Sequence, residues 1–153
     1  MPVYTPVDHE PDFGHPDELL TDSPGDVPSK EKAWGIHLIV DMSSANNKID
    51  SEEEIKKFFH TLIVEKLKMK ELSPVMFERV NDRKDGHGIS AAQMLTTSHL
   101  CLHADDDHNK VFLDVFSCRF FEKEPVLRFI HETFQPKKMA YREIIRDAGN
   151  GEQ

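Results

Sequence analysis

Apolar positions along the chain recur with two periods, and each period marks an element. Ser51 and Glu54 form a capping box, after which Ile55, Phe58, Phe59, Leu62, Ile63 and Leu67 return at the three-and-four spacing of one helix face. The pattern predicts a first helix there. Before it, WGIHLIVDM, Trp34 to Met42, is rich in branched residues and does not alternate cleanly, which predicts a largely buried strand. A second helix is predicted around Pro125, where a first helical turn tolerates proline; Glu122 and Glu124 suit its N-terminus, and Val126, Phe129, Ile130 and Phe134 supply its apolar face.

Between the helices, Pro74 opens a shorter predicted strand through Val75, Phe77 and Val80. NDRKDGHG, Asn81 to Gly88, reads as a turn-rich loop whose glycines permit positive φ. A strand is expected from about Met94 to His103, then the polar turn ADDDHN, then a strand over KVFLDVFSC, Lys110 to Cys118, antiparallel to it. Pro136 ends the second helix, and KKMAYREIIR closes as a strand. The predicted order is strand, helix, strand, strand, strand, helix, strand, with a strand and helix leading each half but no residue-level repeat. The fold class expected is α/β of the α+β type: a two-layer sandwich, one mainly antiparallel sheet with two helices packed on one face.

Composition adds a tail to this domain. Residues 1–32 hold six of the nine prolines, and eight acidic residues from Asp8 to Glu31 stand against Lys30 and Lys32 alone. Such a segment cannot bury enough apolar surface to offset its ordering entropy and is expected to be disordered. A single domain over 33–148 and a flexible C-terminus at 149–153 complete the expected organisation. The net charge of −9 argues against nucleic-acid and anionic-membrane partners and favours a small basic ligand. With no secretory h-region and no membrane-length apolar run, a soluble cytoplasmic protein is expected. Cys101 and Cys118 would remain thiols there.

The chemistry concentrates in TTSHLCLH, Thr96 to His103. Taken singly, Cys118 at a strand end is an ordinary buried thiol, Ser90 after Gly88 a turn serine and Ser98 a strand hydroxyl. His99, Cys101 and His103 alternate onto one strand face and, with His108 and the aspartates, raise a zinc reading, although zinc ligands more often gather across loops.

The spacing of Ser90, Ser98, His103 and Cys118 resembles the prokaryotic type of S-adenosylmethionine decarboxylase proenzyme, a pyruvoyl-dependent decarboxylase. That family's pattern is Gly-Val-Ser-Gly, then Glu-Ser-His, a histidine five residues after that serine and a cysteine fifteen beyond, and WGIHLIVDM is similar to its first strand. The resemblance runs from about Trp34 to Arg146. It implies that Ser98 attacks the Thr97 carbonyl, so that the chain divides into a β chain, 1–97, and an α chain, 98–153, whose first residue becomes a pyruvoyl group; no external cofactor is needed. That group forms a Schiff base with the substrate amine and accepts the electron pair released with carbon dioxide. By the same resemblance Ser90 and His103 assist processing, Cys118 is the proton donor, and the enzyme is a homodimer of cleaved protomers with sites at the interface. The implied product, decarboxylated S-adenosylmethionine, serves spermidine and other polyamine biosynthesis.

The chain departs from the family pattern at three places. Thr97 replaces the glutamate before the processing serine, Ala91 replaces the glycine after Ser90, and His103-Ala104-Asp105-Asp106-Asp107 stands for His-Thr-Trp-Pro-Glu. Asp107 is the expected substrate contact, with a shorter reach than glutamate. Asp105 adds charge where an aromatic surface is lost, which opens an alternative on the same scaffold: a decarboxylase of ornithine or arginine, with the distal cation on Asp105 or Asp106. An uncleaved, non-catalytic or metal-binding homologue is the other alternative. An offset of five also places Ser98 and His103 on opposite faces of an ideal strand, so spacing alone does not bring them together.

Overall fold

The structure, a computed structural model, describes residues 33–147 apart from 83 and 85; the acidic tail and the C-terminal residues expected to be flexible lie outside the described residues. Six strands form one antiparallel sheet: β1 (Gly35–Ser43), β2 (Met76–Asp82), β3 (Gly86–Leu95), β4 (Ser98–Asp105), β5 (Lys110–Ser117) and β6 (Lys138–Arg146), in the order β2-β3-β4-β5-β1-β6. Helix α1 (Glu52–Thr61) follows β1 through a short 3-10 turn, and α2 (Lys123–Phe134) connects β5 to β6.

Both helices start and stop where the side chains require it. Ser51 Oγ accepts from the backbone N–H of Glu54, as the capping box predicts. The apolar stripe beyond α1 continues through a π-helical turn, Leu62–Lys66, closed by Leu67 N–H donating to the Leu62 carbonyl at 2.9 Å. Gln135 ends α2 in the left-handed conformation, φ 46°. Phe58 of α1 meets Phe134 and Phe129 of α2 at ring-centroid distances of 4.7 and 5.3 Å, which ties the two helices together.

Strand alternation decides what the helices cover. Leu38 and Val40 of β1, Leu100 and Leu102 of β4, and Val111, Leu113 and Val115 of β5 are buried under Ile55, Phe59, Ile63, Val126 and Ile130. The intervening residues point to the opposite face, which no helix among the described residues covers: His37, Ile39 and Asp41 on β1, Ser90 and Ala92 on β3, His99, Cys101 and His103 on β4, and Phe112, Asp114 and Phe116 on β5. The predicted two-layer sandwich is therefore the observed one.

Two predicted elements differ. Most of the segment expected as a loop is strand: Asn81 and Asp82 end β2, and Gly86 to Gly88 begin β3. The strand expected from Met94 to His103 is in fact two, since Leu95 pairs with Ser98 across a two-residue turn at Thr96 and Thr97. Those threonines have high strand propensity and lack the Gly, Asn or Asp that marks such turns, so the local pattern hides the reversal. Gly88 permits the close approach of β3 to β4, because a Cβ there would lie 1.9 Å from the Ala104 carbonyl oxygen.

Candidate functional site

The β3–β4 turn places Thr97 at φ 63°, a left-handed conformation that a β-branched residue rarely adopts. The peptide bond between Thr97 and Ser98 thus follows a strained residue, at the tip of a hairpin and not within a strand. Ser98 is buried, and its Oγ accepts a hydrogen bond of 3.0 Å from the backbone N–H of Cys118, just past the end of β5. Pairing of His99 with Phe116 sets this meeting, since one step back along β4 and two steps on along β5 lead to Ser98 and Cys118.

Cys118 Sγ touches Thr97 Oγ1 and lies 4.0 Å from the Thr96 carbonyl oxygen. Thr97 Oγ1 also donates to the Thr96 carbonyl at 2.6 Å, so its single proton has two acceptors within reach. Burial pushes the Cys118 thiol up, but hydrogen bonds from the Thr97 and Ser98 side chains, with the charge of Arg119, outweigh it and leave the thiol below the ordinary cysteine value. The arrangement brings together a hydroxyl nucleophile, the carbonyl before it and a thiol able to exchange a proton.

Ser90 and His103 form a second group. They face each other across β3 and β4, with Ser90 Oγ 2.8 Å from His103 Nδ1. The other ring nitrogen, Nε2, is 3.4 Å from Cys101 Sγ. This group lies on the uncovered face, five residues along β4 from Ser98, a separation of about 17 Å at the usual strand rise. Within one chain, the fold therefore unites Ser98 with Cys118 and Ser90 with His103, but does not join the two pairs.

The surface between them is polar and aromatic. His37 Nε2 lies 3.1 Å from Asp114 Oδ1, His99 packs on Phe116 at 5.3 Å, and the Arg146 guanidinium stands 5.2 Å from the same ring. Burial and the neighbouring His37 push His99 below the usual imidazole range, Asp114 acting against them. Asp114 and His37 were not among the residues singled out from sequence; an aspartate in the middle of the apolar run VFLDVF is the signal that marks the position.

The acidic turn lies at the far end of β4 from Ser98. His108 Nδ1 is 2.8 Å from Asp105, His87 Nδ1 is 3.0 Å from Asp107, and Arg79 is 3.8 Å from Asp106. Each carboxylate of the run thus has a hydrogen-bond or ion-pair partner in its own chain, so the ornithine or arginine reading would require a distal cation to displace one of them. Among the described residues, no three His, Cys, Asp or Glu side chains are arranged to hold a metal ion. His99, Cys101 and His103 do share a face, but His99 is turned to Phe116 and His103 to Ser90. No helix among the described residues is long and apolar enough to cross a membrane.

Comparison with known proteins gives a consistent match. Residues 36–147 match the family described as S-adenosylmethionine decarboxylase. Similar proteins include the S-adenosylmethionine decarboxylase proenzymes of Hydrogenobaculum sp., 28% identical over 76% of this chain and 87% of the relative, and of Archaeoglobus fulgidus, 24% identical over 75% and 97%. Among solved structures, the adenosylmethionine decarboxylase of Aquifex aeolicus superposes with a TM-score of 0.65 at 21% identity, covering 80% of this chain and 98% of that one. At that identity the superposition speaks for the fold.

Proposed function

The chain belongs to the S-adenosylmethionine decarboxylase family, and from that premise we propose that it is a proenzyme which cleaves itself between Thr97 and Ser98 and then decarboxylates S-adenosylmethionine for polyamine synthesis. The observation that carries the reading is the hairpin tip: a strained Thr97 before a buried Ser98 whose Oγ is held by Cys118. Its residues suit the formation of a pyruvoyl group from Ser98, because the nucleophile is built into the turn and a thiol stands beside it.

Processing follows from these atoms. Ser98 Oγ attacks the Thr97 carbonyl carbon, the Thr97–Ser98 amide bond breaks, and an ester forms while the freed nitrogen takes up the hydroxyl proton. Loss of the Ser98 Cα proton then expels the Thr97 carboxylate from Cβ. Water enters and ammonia leaves as the new end of the chain becomes a ketone. Attack relieves the left-handed strain at Thr97, worth about 1–2 kcal/mol for a residue bearing Cβ. A thiol donating beside Thr96 and Thr97 is placed to stabilise developing negative charge in that step.

When formed, the pyruvoyl group supplies an electrophilic carbonyl that takes up the electron pair left as carbon dioxide departs. The surrounding residues bind and deliver protons: Cys118 holds at Sγ the proton that the decarboxylated carbon requires, and Phe116 with His99 offers a flat surface beside it. Asp107 and Asp105, paired with His87 and His108, are retained as substrate contacts only by exchange of those partners.

Ser90 and His103 serve this chemistry from a second copy of the chain. The uncovered sheet face carries Met76, Met94 and Phe112, which are 68%, 54% and 43% exposed, beside the His37–Asp114 pair. Packing two such faces about a two-fold axis near the middle of β4, between Leu100 and Cys101, brings the exposed Thr96–Thr97 turn of one copy toward the Ser90 and His103 end of β4 in the other. That arrangement covers the apolar positions and completes both sites, which supports a homodimer.

The denatured mass of the freshly purified protein tests the reading. Expected are chains of residues 1–97 and 98–153, the smaller lighter by one ammonia than simple hydrolysis would leave it. A single uncleaved chain that stays inert toward S-adenosylmethionine would overturn it in favour of a non-catalytic homologue.

A further inference from the structure

Cys101 has no role in the processing scheme, yet among the described residues its side chain and that of Ser90 lie within hydrogen-bond reach of the His103 ring. It lies two residues before His103 on β4 and so shares its face, with Sγ 3.4 Å from Nε2 while Nδ1 is 2.8 Å from Ser90 Oγ. Ser90, His103 and Cys101 thus form a chain of three groups. A neutral imidazole has one N–H, and its partners decide which nitrogen carries it.

We propose that Cys101 is a positioning residue: its thiol donates to His103 Nε2 and holds the ring in the Nδ1–H form, which donates to Ser90 Oγ. Three observations carry this assignment. The Ser90 hydroxyl either donates or accepts by rotation and imposes no choice. The thiol can serve as a donor only while protonated. Cys101 is half-buried and lies directly opposite Asp114 on β5. Burial, and then the charge of Asp114, push its thiol up, which keeps the proton on sulfur.

The consequence falls on Ser90. With its oxygen accepting from His103, its own proton is free to point out of the uncovered face. That is where the proposed function requires a donor to the carbonyl of Thr97 in the second copy, so the effect on rate rests on that reading while the tautomer does not. The other ionisable groups facing this cluster are Glu78 opposite Ser90, Asp41 in the row of His103 beyond Phe112, Asp114 with His37, and Asp105 and His99 on β4 itself. Asp105 is engaged by His108, and Asp114 by His37.

The test is nitrogen-15 NMR of the imidazole rings in the full-length chain carrying Ser98→Ala, which keeps one uncleaved species. His103 is expected as Nδ1–H with Cys101 present, and to lose that form in Cys101→Val and Cys101→Ala. With Ser98 intact, the same Val and Ala variants should cleave about fivefold more slowly, the worth of one hydrogen bond. An unchanged Nδ1–H signal in both Cys101→Val and Cys101→Ala overturns the inference whatever the activity. A tautomer that responds as expected in a protein that never cleaves sustains the inference and overturns the proposed function instead.

Discussion

Cys118 reaches back twenty residues to donate its backbone N–H to Ser98 Oγ at 3.0 Å, while its side chain touches Thr97. One residue thus orients the nucleophile with its main chain and keeps its thiol for proton transfer. The two duties separate under substitution.

Cys118→Ala retains the N–H and removes the thiol. Cleavage, followed by denatured mass, is expected to persist at a reduced rate, whereas release of carbon dioxide from S-adenosylmethionine should fall by about 100-fold or yield misprotonated product. Unchanged turnover and product would remove Cys118 from the role of proton donor.

The same thiol predicts a pH limb. In the uncleaved chain its pKa lies below the ordinary cysteine value, for the causes given above, and the protonated form is the donor beside Thr96 and Thr97, so self-cleavage should decline as pH rises through that lowered value. Cys118→Ser, whose hydroxyl does not titrate in this range, should lose the limb along with much of the rate. A decline that persists in Cys118→Ser belongs to another group.

Strain at Thr97 is tested by Thr97→Gly. Glycine adopts a positive φ without penalty, so the uncleaved chain no longer stores the about 1 kcal/mol that attack releases. Cleavage should slow about fivefold, with the site of cleavage unchanged. An equal or faster rate would show that the left-handed turn does not drive the reaction.

Assembly of the site from two copies predicts complementation. Ser98→Ala and His103→Ala should each fail to cleave when made alone. Expressed together, they form mixed dimers in which the hairpin tip of the His103→Ala chain lies toward the intact His103 of the other, and a fraction of the His103→Ala chain should then be cleaved. No cleavage in verified mixed dimers would place both residues' action within one chain.

Asp41 lies on the uncovered face in the neighbouring row to Asp114. Burial, followed by repulsion from Asp114, raises its carboxyl above the ordinary value, with Arg142 acting against them. A carboxyl raised by folding contributes stability at low pH that is lost as pH rises through the folded value. Asp41→Asn should therefore raise the melting temperature modestly at neutral pH, and the difference should shrink in acid. A lower melting temperature at neutral pH would mean that the carboxylate has a stabilising partner.

Much of the architecture was legible along the chain. The helix from Ser51 and the one after Glu122 appear as predicted, because their caps and apolar stripes are local. β3 was hidden because Gly86, His87 and Gly88 read as a loop, although Gly88 is required by its contact with the Ala104 carbonyl. The turn at Thr96 and Thr97 was hidden because two β-branched residues read as strand, and the cost of bending them is met by pairing on both sides. Arg79 and His87, the partners of Asp106 and Asp107, are also brought there by strand pairing, which sequence spacing does not reveal, whereas His108 lies only three residues from Asp105.

Periodicity and motif are properties of neighbours along a chain, so the two amphipathic helices, the buried strands and the spacing of Ser90, Ser98, His103 and Cys118 could be read from the order of residues alone. Which of those four meet depends on how the strands pair. Antiparallel register sets Ser90 against His103 and brings Cys118 to Ser98, and the period of two turns one pair's chemistry toward the uncovered face, five residues from the other. Such pairings join residues distant in sequence, where register is settled by burying one whole face of the sheet at once.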